Sequence, residues 1–100
     1  MKVELKTAKI TECEPIKKAK KLLKLTLDDG SGTPRTVASG IAKYYTPNEL
    51  IGHTVIVVSN LKPAVLCGVE SQGMILAADI DEDNVKVIFA DDIPQGSKIR

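Results

Sequence analysis

The chain has 100 residues, of which 43% are hydrophobic and 27% charged, so it is one domain that can fold on an apolar core without a metal or a disulfide. Its net charge is +1, with one His, two Cys, no Trp, and Phe89, Tyr44 and Tyr45 as its aromatic residues. This composition argues against disorder, against a zinc site and against a platform that stacks nucleobases on several rings.

Charge is distributed unevenly along the chain. Residues 1–43 carry a net +5 and residues 44–100 a net −4. One basic face can therefore meet a polyanion although the protein as a whole is nearly neutral.

In the first strand, Val3 and Leu5 share a face while Ala8 and Ile10 fall on the opposite parity. A continuous strand over residues 2–13 thus predicts a bulge or bend near Lys6-Thr7, as in small closed barrels. The run Lys17-Lys18-Ala19-Lys20-Lys21, with Lys24 beyond it, is the densest positive charge and is read as the loop between the first two strands. Such a run can neutralise phosphates without reading sequence, or it can simply be solvated. Leu23, Leu25 and Leu27 alternate with polar residues as a half-buried strand, Asp29-Gly30-Ser31-Gly32 supplies a turn, and Arg35 to Ser39 returns as its hairpin partner.

Thr46-Pro47-Asn48-Glu49 predicts a short helix with a Thr N-cap, Pro in the first turn and Glu closing a capping box, stopped by Gly52. Val55 to Val58 is apolar on both faces and reads as a central strand. Residues 60–74, NLKPAVLCGVESQGM, then form a long irregular connection to a strand at Ile75-Leu76-Ala77-Ala78. Connections of this length without structure of their own tend to be functional. After the Asp81-Glu82-Asp83-Asn84 turn, Val85, Val87 and Phe89 mark a last strand. The sequence predicts an all-β chain: a five-stranded Greek-key barrel of the OB type over residues 1–100, with one short helix between strands 3 and 4 and extra C-terminal strands.

No catalytic constellation is visible. His53 lies beside Gly52 as a loop residue, the acids at 79–92 lack EF-hand spacing, and Gly30-Ser31-Gly32 is a turn, not a phosphate cradle. No metal or cofactor is expected. Cys13 and Cys67 are expected as small buried hydrophobes in a reducing compartment. With neither a signal-peptide run nor a membrane-length apolar stretch, the expected location is the cytoplasm.

Four stretches carry a family resemblance: Val37-Ala38-Ser39-Gly40-Ile41, Tyr44 to Gly52, Val55 to Pro63, and Gly68 to Ala78. Together they resemble the tRNA-binding domain appended to the C-terminus of bacterial methionyl-tRNA synthetases. Stand-alone tRNA-binding proteins and the CsaA chaperone share this module. The resemblance covers essentially the whole chain and rests most on N-L-K-P and S-x-G-M at their separation. It implies an OB barrel whose terminal extensions build a homodimer. That dimer would hold tRNA without strong sequence preference, tethered to a methionyl-tRNA synthetase catalytic core and away from any membrane.

By position, Asn60, Lys62, Ser71 and Met74 match the signature loop, and Ser39 and Gly40 the neighbouring S-G-I turn. Lys62 can meet phosphate, Asn60 and Ser71 can hydrogen-bond ribose or a base edge, and Met74 can offer apolar surface to a base. Equally, Met74 can pack in the core and Asn60 can order the loop. The chain departs from the family where Ala64-Val65-Leu66-Cys67 replaces basic residues, and where Ala19-Lys20-Lys21-Leu22 exchanges an acid for a base. These exchanges shift the expected phosphate attraction to Lys17, Lys18, Lys20, Lys21 and Lys24. The opening Met1-Lys2-Val3-Glu4-Leu5 resembles the start of the appended domain, so an excised domain is expected, although a stand-alone protein would begin in much the same way. Two other readings stay open: a structural dimerisation module with weakened RNA affinity, and a CsaA-like peptide-binding chaperone.

Overall fold

Residues 3–99 are described by the computed structural model. Met1-Lys2, where the comparison with the start of an appended domain begins, lies outside them. In chain order the elements are β1 (Leu5–Ile16), β2 (Ala19–Asp28), β3 (Arg35–Ser39), α1 (Pro47–Leu50), β4 (Thr54–Val58), β5 (Ala64–Leu66), β6 (Val69–Ser71), β7 (Met74–Ile75), β8 (Ala77–Asp81), β9 (Asn84–Val87) and β10 (Lys98–Ile99).

The barrel sheet runs β3-β2-β1-β4-β7, all antiparallel, with β10 added beside the start of β1. As the sequence predicts, α1 lies between the third and fourth strands. The Glu49 carboxylate accepts hydrogen bonds from the Thr46 N–H at 2.8 Å and hydroxyl at 3.0 Å, and Gly52 leaves the helix end at φ +92°. The leucines of β2 do what their alternation requires: Leu23, Leu25 and Leu27 are buried with Ile10, Val37, Leu50, Val55 and Val57 in one core. Each such side chain contributes about 1.5–3 kcal/mol by leaving water.

Several sequence expectations are corrected. The parity change in β1 needs no bulge at Lys6-Thr7, since β1 pairs with β4 in unbroken register from Leu5↔Val58 to Lys9↔Thr54. Both faces are covered there: Ala8 points into the core, while the fully buried Thr7 lies under the C-terminal segment. Its hydroxyl donates to the Pro94 carbonyl at 2.6 Å and accepts from the Ser97 N–H at 3.0 Å. The shift in register occurs later, between Ile10 and Glu12. There Thr11 is left unpaired, and β1, already paired with β2 at Lys9↔Asp28 and Ile10↔Leu27, continues along β2 beyond the end of its pairing with β4.

The basic run is not a loop. Ile16 pairs with Ala19, so Lys17-Lys18 form a two-residue hairpin tip and Lys20, Lys21 and Lys24 lie on β2. Nor is the 60–74 connection unstructured. β5 and β6 pair through Ala64↔Ser71, Val65↔Glu70 and Leu66↔Val69, around Cys67 at φ +49° and Gly68 at φ +83°. Two central residues at positive φ define the primed turn that matches strand twist. Cys67 is therefore exposed, not buried, whereas Cys13 is half-buried and its thiol is pushed up to about 11 by burial and then by Glu14. The expected strand at 75–78 divides: β7 pairs with β4, and β8 turns away to pair with β9. Among the described residues no helix is long and apolar enough to cross a membrane.

Candidate nucleic-acid interface

The barrel is closed at one seam largely by side chains. Along the outer edge of β3, the N–H groups of Thr36 and Ala38 have no paired strand. The Thr36 N–H donates to Gln72 Oε1 at 2.9 Å, and the Ala38 N–H donates to Ser71 Oγ at 3.0 Å. The Thr36 carbonyl in turn accepts the Gln72 N–H at 2.7 Å. A buried amide left unpaired would cost free energy comparable to a lost hydrogen bond, so these two side chains complete the sheet edge.

Gly73 follows at φ +147°, where a Cβ would stand 2.6 Å from the Val58 carbonyl oxygen. Only glycine permits that approach of the returning chain to β4. The S-Q-G run thus places β5 and β6 beside the outer face of β2 and β3. A shallow groove of about 280 Å³ results, lined by Lys24, Thr36, Gly68, Val69, Glu70 and Gln72.

The residues expected at the site separate into two kinds. Ser71 is buried, and its hydroxyl also donates to the Gly73 carbonyl at 3.0 Å, so it is spent inside the protein. Asn60 Oδ1 accepts the Glu4 N–H at 2.9 Å, tying the loop to the start of β1. Ser39 closes β3 opposite Leu23, and the exposed Gly40 follows it. These positions shape the loop.

Lys62 and Met74 face solvent instead; Met74 is 59% exposed and so is not core packing. Lys17, Lys18, Lys20 and Lys21 are exposed, while Lys24 sits 3.4 Å from Glu14. Lys24 pairs in register with Ala38, whose amide is held by Ser71, so it is the lysine brought beside the loop. At about 3.3 Å per residue, Lys18 stands roughly 20 Å farther along the hairpin. The basic arm and the signature loop border one face without forming one cluster.

Sequence reasoning missed Arg35, Asp29 and Gln72. The side chain of Asp29 is 2% exposed and its Oδ2 lies 3.1 Å from both Lys6 Nζ and Arg35 Nε. Burial opposes its charge, but hydrogen bonds from Ser31, Lys6 and Arg35 outweigh that and hold the carboxyl well below the usual carboxylate range. Arg35 also donates from Nη1 to the carbonyls of Ser59 and Gln72. The only signal was parity, which placed an arginine at the start of a half-buried strand.

His53 belongs to another surface, where its Nδ1 lies 2.8 Å from Asp91 and its ring lies against Phe89. Asp91 also accepts the Thr54 N–H, and that bond, followed by the one with His53, lowers its carboxyl.

A small closed β-barrel of antiparallel strands, with one short helix between its third and fourth strands, is an OB-type module. The chain belongs to the tRNA-binding domain family: the family described as "Putative tRNA binding domain" matches residues 5–98.

Among its relatives are methionine–tRNA ligases. That of Methanosarcina mazei is 50% identical over 99% of this chain and 14% of its own length, and that of Methanocaldococcus jannaschii 53% over 99% and 15%. The chain therefore spans about one seventh of those relatives. Among solved structures, a MetRS-related protein from Pyrococcus horikoshii superposes with a TM-score of 0.91 at 38% identity, covering 98% of this chain and 90% of that one. The CsaA chaperone protein of Picrophilus torridus superposes at 0.88 with 29% identity, covering 99% and 92%.

Proposed function

We propose that this domain binds tRNA without chemistry of its own and with little sequence preference, and that it acts as a homodimer tethered to a methionyl-tRNA synthetase catalytic core in the cytoplasm. The observation that carries this reading is the identity of about half the residues, over 99% of the chain, to methionine–tRNA ligases. A tethered domain of this kind raises the effective concentration of tRNA at the catalytic core by converting a second encounter into an intramolecular one.

This reading divides the labour between the hairpin and the loop. Lys17, Lys18, Lys20 and Lys21 attract phosphates from the hairpin, and they form none of the ion pairs found among the described residues. Lys62 and Met74 meet the RNA at the loop by charge and apolar contact, while Ser71 and Asn60 hold the loop's shape. Dimerisation has separate support: Ile80 is 62%, Ile88 42% and Phe89 36% exposed on the β8–β9 arm and just beyond it, outside the barrel core.

The test is competition. Labelled tRNA bound by the purified domain should resist displacement by duplex DNA, and sedimentation equilibrium should show a dimer. Displacement of tRNA by unfolded polypeptide would favour a chaperone like CsaA, and a dimer without RNA binding would favour a structural module.

A further inference from the structure

The chain leaves the barrel at Ser59 and returns at Gln72, and one side chain holds both ends. Arg35 Nη1 lies 3.1 Å from the Ser59 carbonyl oxygen and 2.6 Å from that of Gln72, and its Nε lies 3.1 Å from Asp29 Oδ2. Nη1 carries two hydrogens, so both carbonyls are held at once. The Arg35 side chain is only 20% exposed, and three of its five N–H directions go to internal acceptors.

The segment between those ends needs such a clamp. β5 and β6 have three residues each, their sheet contains no other strand, and Val65 and Leu66 are 70% and 41% exposed. An isolated two-stranded hairpin is marginally stable in water. Its orientation against β3 therefore rests on its base, where Ser71 and Gln72 meet β3 and Arg35 fixes the width of the mouth. A lysine could keep the attraction to Asp29 but could not span a carboxylate and two carbonyls with one compact ammonium.

We propose that Arg35 is a positioning residue for RNA binding: it sets the mouth of the 60–71 segment, and so the stance of the β5–β6 hairpin, without itself contacting phosphate. This rests on the tRNA-binding reading above. Asp29 is the partner that aims Arg35, since its buried carboxylate receives Nε and leaves Nη1 directed at the two carbonyls.

The experiment compares wild type with Arg35→Lys in two readouts: tRNA titration over a range of salt, and amide hydrogen exchange. The variant should bind tRNA about tenfold more weakly, the scale of a lost charged hydrogen bond. Its log–log salt slope should match wild type, and the amides of residues 64–71 should exchange faster while those of β1 and β2 keep their protection. Unchanged affinity would overturn the proposal. So would a slope shallower by about 0.7–0.9, the mark of a lost phosphate contact.

Should wild type itself fail to bind tRNA, the tRNA reading falls, and unchanged exchange at 64–71 would separately remove the clamp. Asp29→Asn gives an independent route if Arg35→Lys does not fold. The same pattern is expected with a smaller loss, and no change in either readout would contradict the role given to Arg35.

Discussion

The hydroxyl of Ser71 accepts the N–H of Ala38 at 3.0 Å, joining the signature loop to the edge of the third strand in a place where backbone pairing does not. A residue type that looks suited to ribose is turned inward, 5% exposed, and is used to close a barrel. Ser71→Ala is expected to destabilise the domain by about 1–3 kcal/mol, because it leaves a buried amide unsatisfied. Chemical denaturation measures this directly. The salt slope of tRNA binding by the folded variant should not change.

Gly73 makes a sharper prediction. With φ at +147° and a Cβ position 2.6 Å from the Val58 carbonyl oxygen, Gly73→Ala combines backbone strain with a clash against main chain. A loss of about 2–4 kcal/mol is expected, at the high end for single substitutions. Gly68→Ala, at φ +83° with open space around it, should cost clearly less.

Asp29 links the fold to acidity. Its carboxyl is held below the ordinary value of about 3.9 by hydrogen bonds that exist only in the folded state. The stability it contributes is therefore fully present above about pH 4 and is lost progressively as pH falls below that. Wild type should lose stability steeply between about pH 4 and pH 2. Asp29→Asn should be less stable at pH 7, by about 2–3 kcal/mol, and lose less over the acid range. Thermal melts at a series of pH values compare the two curves.

The hairpin lysines separate binding from folding. Lys17, Lys18, Lys20 and Lys21 are exposed. Replacing all four by Ala should leave the melting temperature within a few degrees, since exposed charges contribute little to stability. Binding of tRNA should weaken, with a salt slope flatter by about 2–3 if most of the four meet phosphate. Unchanged binding would show that attraction resides elsewhere, with Lys62 and Lys24 the next residues to replace.

The elements most legible in the sequence were those whose signals are local. The alternation of Leu23, Leu25 and Leu27, the Thr46-to-Glu49 capping box and the doubly apolar Val55–Val58 each specify their structure within a few residues, and each forms as expected. The β5–β6 hairpin was hidden because its turn is Cys67-Gly68, where a cysteine takes the positive φ usually given to Asn or Asp. Thr7 was misread because its cover comes from Pro94 and Ser97, nearly ninety residues away. Arg35 and Gln72 were overlooked for a similar reason: the Ser59 and Gln72 carbonyls that Arg35 holds, and the Thr36 amide that Gln72 holds, are distant in sequence and no spacing rule reaches them. Within the 60–74 segment, the sequence did not tell which side chains face inward, because Ser71 and Met74 differ in burial only through the way the loop returns to the barrel.

The most direct measurement of the central claim is a titration of labelled unfractionated tRNA with the domain at several salt concentrations. Saturable binding is expected, with a log–log slope of roughly −2 to −4, corresponding to a few phosphate contacts at about 0.7–0.9 each. Absence of saturable binding even at low salt would contradict tRNA binding by this domain.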